Sequence, residues 1–338
     1  MSQLRKDPVV GRWVIVATDR SPKPYDFATS VELRKPGPCA FCETMESYTP
    51  REIWSARSPQ TLPNNPGWQV RVVPNKFPAL RLEEWTPFTV DNGYENMGGF
   101  GAHEVIIETP AHDLELVDLP IDHFQKVFLA YRERMRDLEN DQRIQYCLIF
   151  KNQGALAGAS IQHAHSQLIA VPVVPKRVKE ELFGSRDYYG NKGTCIFCDT
   201  INRELSILER VVYQNERFIA TVPYAPRFPF EIWVLPLEHA AHFSQTDERD
   251  LAALSEVMQN TLRAVKNTLD DPPFNMLLHV APYSRNGENP DELSYHWHIE
   301  ILPSLTKVAG FEWGTGFYIN PVIPEEAALL LRDSLKTE

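Results

Sequence analysis

Four short motifs occur twice in this chain, in the same order in each half. CAFC at 39–42 returns as CIFC at 195–198, and RVVPNKFPAL at 71–80 returns as RVVYQNERFIAT at 210–221. HEVIIETPAHD at 103–113 returns as FEIWVLPLEHA at 230–240, and HAHSQLIAVP at 163–172 returns as HWHIEILP at 296–303. One such match arises by chance, but four in order indicate an internal duplication. The sequence therefore predicts two related domains, residues 1–175 and 176–338.

Each half has the same predicted succession of elements. A Cys-x-x-Cys loop is followed by short strands that are rich in β-branched and aromatic residues. Apolar residues then recur at helical spacing around 121–141 in the first half and 247–269 in the second. A last strand carries a His-x-His motif. Runs of strands with one long helix per half predict an α+β fold with mainly antiparallel sheets.

The two Cys-x-x-Cys pairs are candidate metal sites. In a cytosolic chain, such pairs indicate a metal or redox site before a structural disulfide. Each half also supplies two histidines, and a closed shell of two Cys and two His suits structural Zn²⁺. The predicted ligands are Cys39, Cys42, His112 and His163 in the first half, and Cys195, Cys198, His239 and His296 in the second. His242 competes with His239, and the alignment of the halves favours His239. The alternative, small apolar cysteines in turns, is disfavoured because the same ligand set occurs twice.

The strand His-Ala-His-Ser-Gln at 163–167 has one chemically active face. Side chains alternate across a strand, so His163, His165 and Gln167 share a face, with neighbours about 7 Å apart. His163 can bind metal while His165 stays free, and a neutral imidazole is a competent nucleophile toward phosphorus. Gln167 offers an amide donor for a phosphate oxygen.

A run of small residues from Gly154 to Ser160 precedes this strand. Glycine and alanine allow an anion to approach the backbone closely, and Asn152 and Ser160 add side-chain donors. Taken alone, a His-x-His pair is more often two metal ligands. The small-residue run and the glutamine favour catalysis. The second-half counterpart, HWHIE at 296–300, lacks both and is interpreted as a structural copy.

Net charge and hydropathy argue against nucleic-acid binding, membrane insertion and secretion. The net charge of −11 argues against a general nucleic-acid surface, because phosphate-backbone binding needs a basic face. No apolar stretch is long enough to span a bilayer, and the opening MSQLRKDP lacks the apolar region of a secretory signal. We expect a cytoplasmic protein that binds neither nucleic acid nor membranes.

Together these motifs resemble the galactose-1-phosphate uridylyltransferase family, a branch of the histidine-triad superfamily. The resemblance rests on HAHSQ after NQGALAGAS, on the CxxC pairs and ETPAH, and on the duplicated layout. It implies two histidine-triad-like domains and a homodimer with structural zinc. It also implies a nucleotidyltransferase that moves a nucleoside monophosphate from UDP-glucose to a hexose 1-phosphate through a covalent nucleotidyl-histidine.

The resemblance assigns roles to individual residues. His165 is the implied nucleophile, and Gln167 is implied to hold the phosphate. Residues implied at the nucleotide and its phosphates are Arg20, Asn75, Asn152, Gly158, Ala159 and Ser160. Lys307, Phe311 and Glu312 are implied at the hexose phosphate, in a C-terminal stretch expected to serve the partner chain of the homodimer.

Two features depart from the uridylyltransferase pattern. Glu300 and Leu302 stand where bacterial members place histidines of an iron-type site, which implies that this site is absent. Lys76 replaces an acidic residue that helps to select the nucleotide. Both departures resemble the plant ADP-glucose phosphorylase subgroup, so adenylyl transfer from ADP-glucose to phosphate is an alternative. A dinucleotide phosphorylase or hydrolase is another alternative, and a non-catalytic two-zinc module is a third.

Overall fold

The computed structural model describes residues 2–17, 24–27, 38–285, 289 and 291–336. Arg20, one of the implied nucleotide contacts, lies outside these described residues. Within them, no helix combines the length and the apolar character needed to cross a membrane.

Each half of the described chain contains runs of strands and one long helix that packs on the sheet. The strands are β1 Gln3–Lys6, β2 Trp13–Val16, β3 Trp54–Arg57, β4 Trp68–Pro74, β5 Thr89–Asp91, β6 Tyr94–Asn96, β7 Ala102–Ile107, β8 Tyr146–Gln153, β9 His165–Val171, β10 Val211–Gln214, β11 Phe218–Thr221, β12 Ile232–Pro236, β13 Phe274–His279, β14 His298–Pro303 and β15 Tyr318–Asn320. The α-helices are α1 Ile121–Glu139, α2 Lys176–Lys192, α3 Ile196–Ile207, α4 Glu248–Leu269, α5 Gly310–Thr315 and α6 Pro324–Ser334.

One ten-stranded sheet runs through both halves of the molecule. Its order is β10-β11-β12-β14-β13-β8-β9-β7-β4-β3, and every neighbouring pair is antiparallel. The two predicted long helices are α1 and α4, whose ends fall within two residues of the predicted ranges. The α+β prediction with mainly antiparallel sheets is therefore confirmed.

The duplication is visible in the strand order. The first half contributes β3-β4-β7-β9-β8 from the outer edge inward, and the second contributes β10-β11-β12-β14-β13 in the same pattern. The halves join where β8 pairs with β13, so the sheet is continuous across them.

Helices α1 and α4 pack together on one face of the sheet. Their apolar sides are buried there, because both helices carry apolar residues at helical spacing. On α1, Tyr131 hydrogen-bonds to Ser166 of β9, and Arg134 forms an ion pair with Glu104 of β7 at 2.8 Å. Since successive side chains of a strand point to opposite faces of the sheet, His165 and Gln167 lie on the face away from α1.

That opposite face differs between the two halves. Over the second half it is covered by α2 and α3, and among the described residues no α-helix takes that place over β9. Glu181 of α2 accepts from the Tyr295 hydroxyl at 2.8 Å, and the ring of Phe197 of α3 lies 5.1 Å from that of His298. The fold therefore buries one His-x-His strand more deeply than the other.

Candidate active site

The first residue of β9, His165, presents a free ring nitrogen. Its Nδ1 lies 2.8 Å from the His163 carbonyl oxygen, which can only accept, so Nδ1 carries the proton and Nε2 keeps its lone pair. Burial lowers the pKa of the His165 imidazole, and the nearby Lys151 ammonium lowers it further. The side chain is 8% exposed, which leaves room for contact with a ligand. A neutral, oriented imidazole of this kind is a nucleophile or a base.

His163, two residues earlier, carries its proton on the other ring nitrogen. Its Nε2–H donates to the Thr109 carbonyl oxygen at 2.7 Å, so Nδ1 carries the lone pair. This Nδ1 lies 3.6 Å from Cys39 Sγ and 3.7 Å from Cys42 Sγ, and His112 Nδ1 lies 3.4 Å from Cys42 Sγ. Tetrahedral Zn²⁺ with ordinary bond lengths requires about 3.5 Å between such atoms. The four predicted ligands therefore fit a metal ion, and the carbonyl contact fixes the ligating tautomer.

The second Cys-x-x-Cys pair forms an equivalent cluster. Cys198 Sγ lies 3.3 Å from His239 Nδ1 and 3.6 Å from His296 Nδ1. Both rings again give Nε2–H to a backbone carbonyl, that of Glu292 at 2.8 Å for His239 and that of Pro236 at 3.0 Å for His296. The ligand atoms of Cys195, Cys198, His239 and His296 lie within 4.8 Å of one another.

The competing residue His242 takes a different place. Its Nε2 lies 2.6 Å from Asn289 Nδ2 and 3.3 Å from the Glu292 carboxylate, outside the cysteine cluster. His239 is therefore the residue that joins the second cluster, in agreement with the alignment of the two halves. Both clusters can hold a metal ion.

A buried polar network supports the His165 strand from behind. Lys151 of β8 donates to Glu108 Oε2 at 2.8 Å and to the His165 carbonyl oxygen at 3.3 Å. The Ser166 hydroxyl donates to Glu108 and also contacts Tyr131. Sequence reasoning missed these residues, although a lysine and a glutamate beside apolar strand residues are a signal, since buried charges need partners.

Gln167 and Asn75 meet at a third residue, His103 of β7, which the sequence analysis did not select. Gln167 Oε1 lies 2.8 Å from His103 Nε2, and the Asn75 N–H donates to the His103 carbonyl oxygen at 2.8 Å. The Ala79 N–H donates to His103 Nδ1 at 3.1 Å. His103 shares the face of His165 and Gln167 because β7 pairs with β9 in the register Ile107↔His165, Val105↔Gln167 and His103↔Ile169.

The small-residue segment is a compact turn at the end of β8. Gly158 has φ +90°, a left-handed conformation that side chains rarely adopt. The Gly158 and Ala159 N–H groups donate inside the turn, to Ala155 O at 2.9 Å and Gly154 O at 3.1 Å. A ligand can therefore approach the backbone of this turn closely, although the N–H groups of Gly158 and Ala159 already form hydrogen bonds. The side chain of Ser160 is exposed.

Asn275 of β13 connects this turn to the second half. Its amide donates to Asn152 Oδ1 and to the Ala157 carbonyl oxygen, both at 2.8 Å. Continuing the register of β8 and β9 places Asn152 beside His165, on the same face. Sequence reasoning identified Asn152 and missed Asn275, because the β8–β13 pairing that joins them is a long-range contact.

The three implied hexose-phosphate residues lie apart from this site within the chain. Phe311 and Glu312 belong to the short helix α5, where the Ala309 N–H donates to the Glu312 carboxylate at 3.0 Å. Among the described residues, no hydrogen bond or ion pair joins Lys307, Phe311 or Glu312 to β9. Phe311 and the neighbouring Trp313 are exposed.

A third group of possible ligands, Glu181, His279 and His298, lies beneath α2. His279 Nδ1 is 3.3 Å from Glu181, and its Nε2 is 3.4 Å from Glu300. Burial opposes the charge of His279, but these two carboxylates raise its pKa to about 10. Arg227 forms a further ion pair with Glu300. A protonated imidazole and a guanidinium therefore face the carboxylates here.

Comparisons with known proteins agree with this geometry. The family model of the galactose-1-phosphate uridyl transferase N-terminal domain matches residues 1–175, and that of the C-terminal domain matches residues 181–326. The chain belongs to the galactose-1-phosphate uridyl transferase family. The family resemblance and the enzyme class, a nucleotidyltransferase of the uridylyltransferase type, are thereby confirmed.

Relatives within this family have two activities. The chain is 36% identical to an ADP-glucose phosphorylase of Arabidopsis thaliana over 98% of its length and 92% of the relative. It is 28% identical to a galactose-1-phosphate uridylyltransferase of Thermotoga maritima, over 99% of both chains. The structure of the Arabidopsis ADP-glucose phosphorylase with bound ADP-glucose matches with a TM-score of 0.83 at 35% identity, covering 98% of both chains. A uridylyltransferase structure matches with a TM-score of 0.76 at 30% identity, covering 99% of both chains.

Proposed function

We propose that the chain transfers a nucleoside monophosphate from a nucleoside-diphosphate hexose through a covalent bond to His165. One observation carries the proposal: His165 Nε2 has a free lone pair, while the ring of His163 is turned toward the two cysteine sulfurs. The two histidines of one motif thus have separate tasks, nucleophile and metal ligand.

The chemistry is a double displacement. Nε2 of His165 attacks the α-phosphorus, the new N–P bond forms, and the P–O bond to hexose 1-phosphate breaks with its electron pair on the leaving oxygen. An anionic phosphate oxygen of the acceptor then attacks phosphorus, and neutral His165 leaves. The Nδ1 proton stays on the ring throughout, where the His163 carbonyl stabilises the positive charge of the intermediate. An acceptor that is already anionic needs no strong general base.

The neighbouring polar groups support binding of the transferred phosphate. Gln167 lies on the His165 face and has an amide to offer to a non-bridging oxygen. Asn152, Gly158, Ala159 and Ser160 form the adjacent turn, where the glycine allows close approach. Asn75 is proposed at the nucleotide. Lys307, Phe311 and Glu312 are proposed to contact the hexose phosphate from the partner chain, because they lie apart from the site in one chain.

Two donors are candidates. The first is UDP-glucose, with a hexose 1-phosphate as acceptor, in line with the family name. The second is ADP-glucose with inorganic phosphate as acceptor. It is favoured by the 36% identity to the Arabidopsis ADP-glucose phosphorylase, against 28% to the Thermotoga uridylyltransferase. Lys76, in place of an acidic residue, supports the second candidate as well.

We further propose that zinc occupies both Cys/His clusters as a structural ion. When bound, it holds His163 in place and takes no part in bond formation. A homodimer is proposed because α5 exposes Phe311 and Trp313. A cytoplasmic location without nucleic-acid partners is proposed from the charge of −11.

Separate incubations with UDP-glucose and ADP-glucose, each labelled in the nucleotide, test the function. We expect one of them to leave an acid-labile nucleotidyl group on the protein and to release hexose 1-phosphate. Hexose 1-phosphates and inorganic phosphate are then added as acceptors, and steady-state kinetics should be ping-pong. An obligatory ternary complex, or absence of label from both donors, would contradict the proposal.

A further inference from the structure

The proton on His103 can be assigned from its neighbours. The Ala79 backbone N–H is a donor only, and it points at Nδ1 of His103 at 3.1 Å. Nδ1 is therefore an acceptor without a proton. A neutral imidazole carries one N–H, so that proton is on Nε2.

This tautomer fixes the orientation of the Gln167 amide. The group 2.8 Å from the protonated His103 Nε2 has to be an acceptor, so it is the Gln167 carbonyl oxygen, Oε1. The amide NH₂ therefore points away from His103. Among the described residues, no acceptor is found for this NH₂, which leaves both of its protons for a ligand.

A glutamine without such a contact has no preferred orientation of its side-chain amide. Its terminal torsion is broad and roughly two-fold, so the oxygen and the NH₂ exchange positions easily. An oxygen turned toward a phosphate repels it, whereas the NH₂ stabilises the charge that develops there. The contact with His103 removes the unfavourable orientation.

His103 also connects Gln167 to the turn after β4. The Asn75 N–H donates to the His103 carbonyl oxygen at 2.8 Å, and Ala79, four residues further on, donates to the ring. Residues 75–79 therefore contact His103 at both ends of the turn. Asn75 Nδ2 lies 3.1 Å from His103 Nε2, but its Oδ1 accepts from Phe77, so two N–H groups meet and form no hydrogen bond.

We propose that His103 is a positioning residue that keeps the NH₂ group of Gln167 directed at the transferred phosphate. The inference deepens the proposed function and rests on it for its kinetic consequence. His103 does not itself contact the reacting atoms. The strand register places Glu231 at the equivalent position of the second half, where it accepts from Arg227 and Trp233, and that half has Glu300 in place of Gln167.

A double-mutant cycle tests this proposal. His103→Phe keeps a ring of similar size but loses both nitrogens, and it should slow single-turnover formation of the nucleotidyl-enzyme roughly 10- to 100-fold. Gln167→Leu should slow it roughly 100- to 1,000-fold. In the Gln167→Leu background, adding His103→Phe should change the rate by less than about 3-fold, because no amide remains to be positioned. Equal effects in both backgrounds would overturn the proposal.

Further variants and readouts separate positioning from folding. His103→Gln restores a donor near Nε2 and should recover most of the rate, while the Kd of the donor stays within about 3-fold of the wild-type value in His103→Phe and His103→Gln. Metal content and melting temperature should match the wild type. A loss that His103→Gln fails to recover, or one that appears as weaker binding with an unchanged rate, would count against the proposal.

A measurement without turnover separates this inference from the proposed function. Two-bond ¹⁵N–¹H spectra of histidine-labelled protein report the tautomer of each ring, and His103→Phe identifies the signal. We expect the neutral Nε2–H form, with a shift of the Nε2 signal in Gln167→Leu. The Nδ1–H form would refute the inference even in an active enzyme. If the wild type takes no label from either donor, the proposed function fails, while this spectrum still decides the orientation.

Discussion

The two His-x-His strands of this molecule share a sheet face and a local design but differ in what covers them. His165 and His298 each give Nδ1–H to the carbonyl oxygen two residues earlier, at 2.8 and 3.1 Å. Each also lies against the phenylalanine of its Cys-x-x-Cys loop, with ring centroids 5.3 Å apart for Phe41 and 5.1 Å for Phe197. His165 is 8% exposed and His298 only 1%.

The side chains beside His165 and His298 also differ. Continuing the strand register, His165 lies beside Asn152, whereas His298 is paired with His279 and stacks on its ring. Burial first, and then the charge of His279, lowers the pKa of His298 to about 4. The same backbone arrangement thus gives an accessible nucleophile in one half and a buried ring in the other. Coverage by α2 and α3, more than the motif itself, separates the two roles.

The largest expected effect comes from replacing the second histidine of each His-x-His motif, His165 or His298. His165→Ala should lower turnover by at least about 10⁴-fold, because the covalent step loses its nucleophile. His298→Ala should keep nucleotidyl-enzyme formation but lower the free energy of unfolding by roughly 2–4 kcal/mol through the cavity that it leaves. Rate measurements and urea unfolding of both variants check this, and a His298→Ala protein that folds but cannot be labelled would break the comparison.

Removal of one metal ligand in each half should also have unequal results. Cys39→Ser and Cys195→Ser should each lose one equivalent of zinc and several kcal/mol of stability, because closed four-ligand sites contribute directly to folding. Only Cys39→Ser should also slow labelling, since the His163 carbonyl oxygen accepts from the His165 ring. Elemental analysis and labelling rates at a temperature where both variants are folded provide the measurement. Equal loss of labelling would contradict this difference.

Much of this arrangement could be predicted from the sequence. The eight Cys and His residues and the His165–Gln167 strand were identifiable because metal ligands and strand periodicity leave local signals. His103, Asn275 and Lys151 were not, since their roles depend on which strands become neighbours. The helices that cover β14 were also missed, since only one long helix per half was predicted. Helix α2 contains Gly184 and Gly190, and glycine disfavours helices.

His279 offers a test of the second half alone. His279→Leu removes a buried cation from between Glu181 and Glu300 and should cost about 3–5 kcal/mol of unfolding free energy, with labelling of His165 retained. The matched variant His123→Leu changes a histidine whose Nε2 contacts the backbone carbonyl oxygens of Gln69 and Glu108, with no carboxylate partner among the described residues, so it should cost less. A His279→Leu protein as stable as wild type would show that the ion cluster contributes nothing.

The same histidine predicts a pH dependence. The pKa of His279 is raised from 6.5 to about 10 in the folded state, so its charge stabilises the fold most at pH values below about 6.5. That contribution is lost as the pH rises through about 10. The difference in unfolding free energy between wild type and His279→Leu should therefore shrink from pH 6.5 to 10. A difference that grows with pH would reverse the assigned sign.

The smallest expected effect concerns nucleotide choice. Lys76→Asp should shift the preference between ADP-glucose and UDP-glucose by roughly 10-fold toward the uridine nucleotide, equivalent to ~1.4 kcal/mol. The control Glu216→Lys changes the charge of the turn between β10 and β11 in the second half and should leave the preference unchanged. Competition between the two donors measures the ratio, and a shift of equal size but opposite direction in Glu216→Lys would mean that net charge alone is responsible.

The most direct test of the central claim is to locate the covalent nucleotide. The wild-type protein is incubated briefly with each donor, digested under alkaline conditions that preserve the N–P bond, and mapped by mass spectrometry. The account predicts one nucleotidyl group, on His165, with the zinc content unchanged. A nucleotidyl group on His298 or on His163, or full turnover without any covalent adduct, would contradict it.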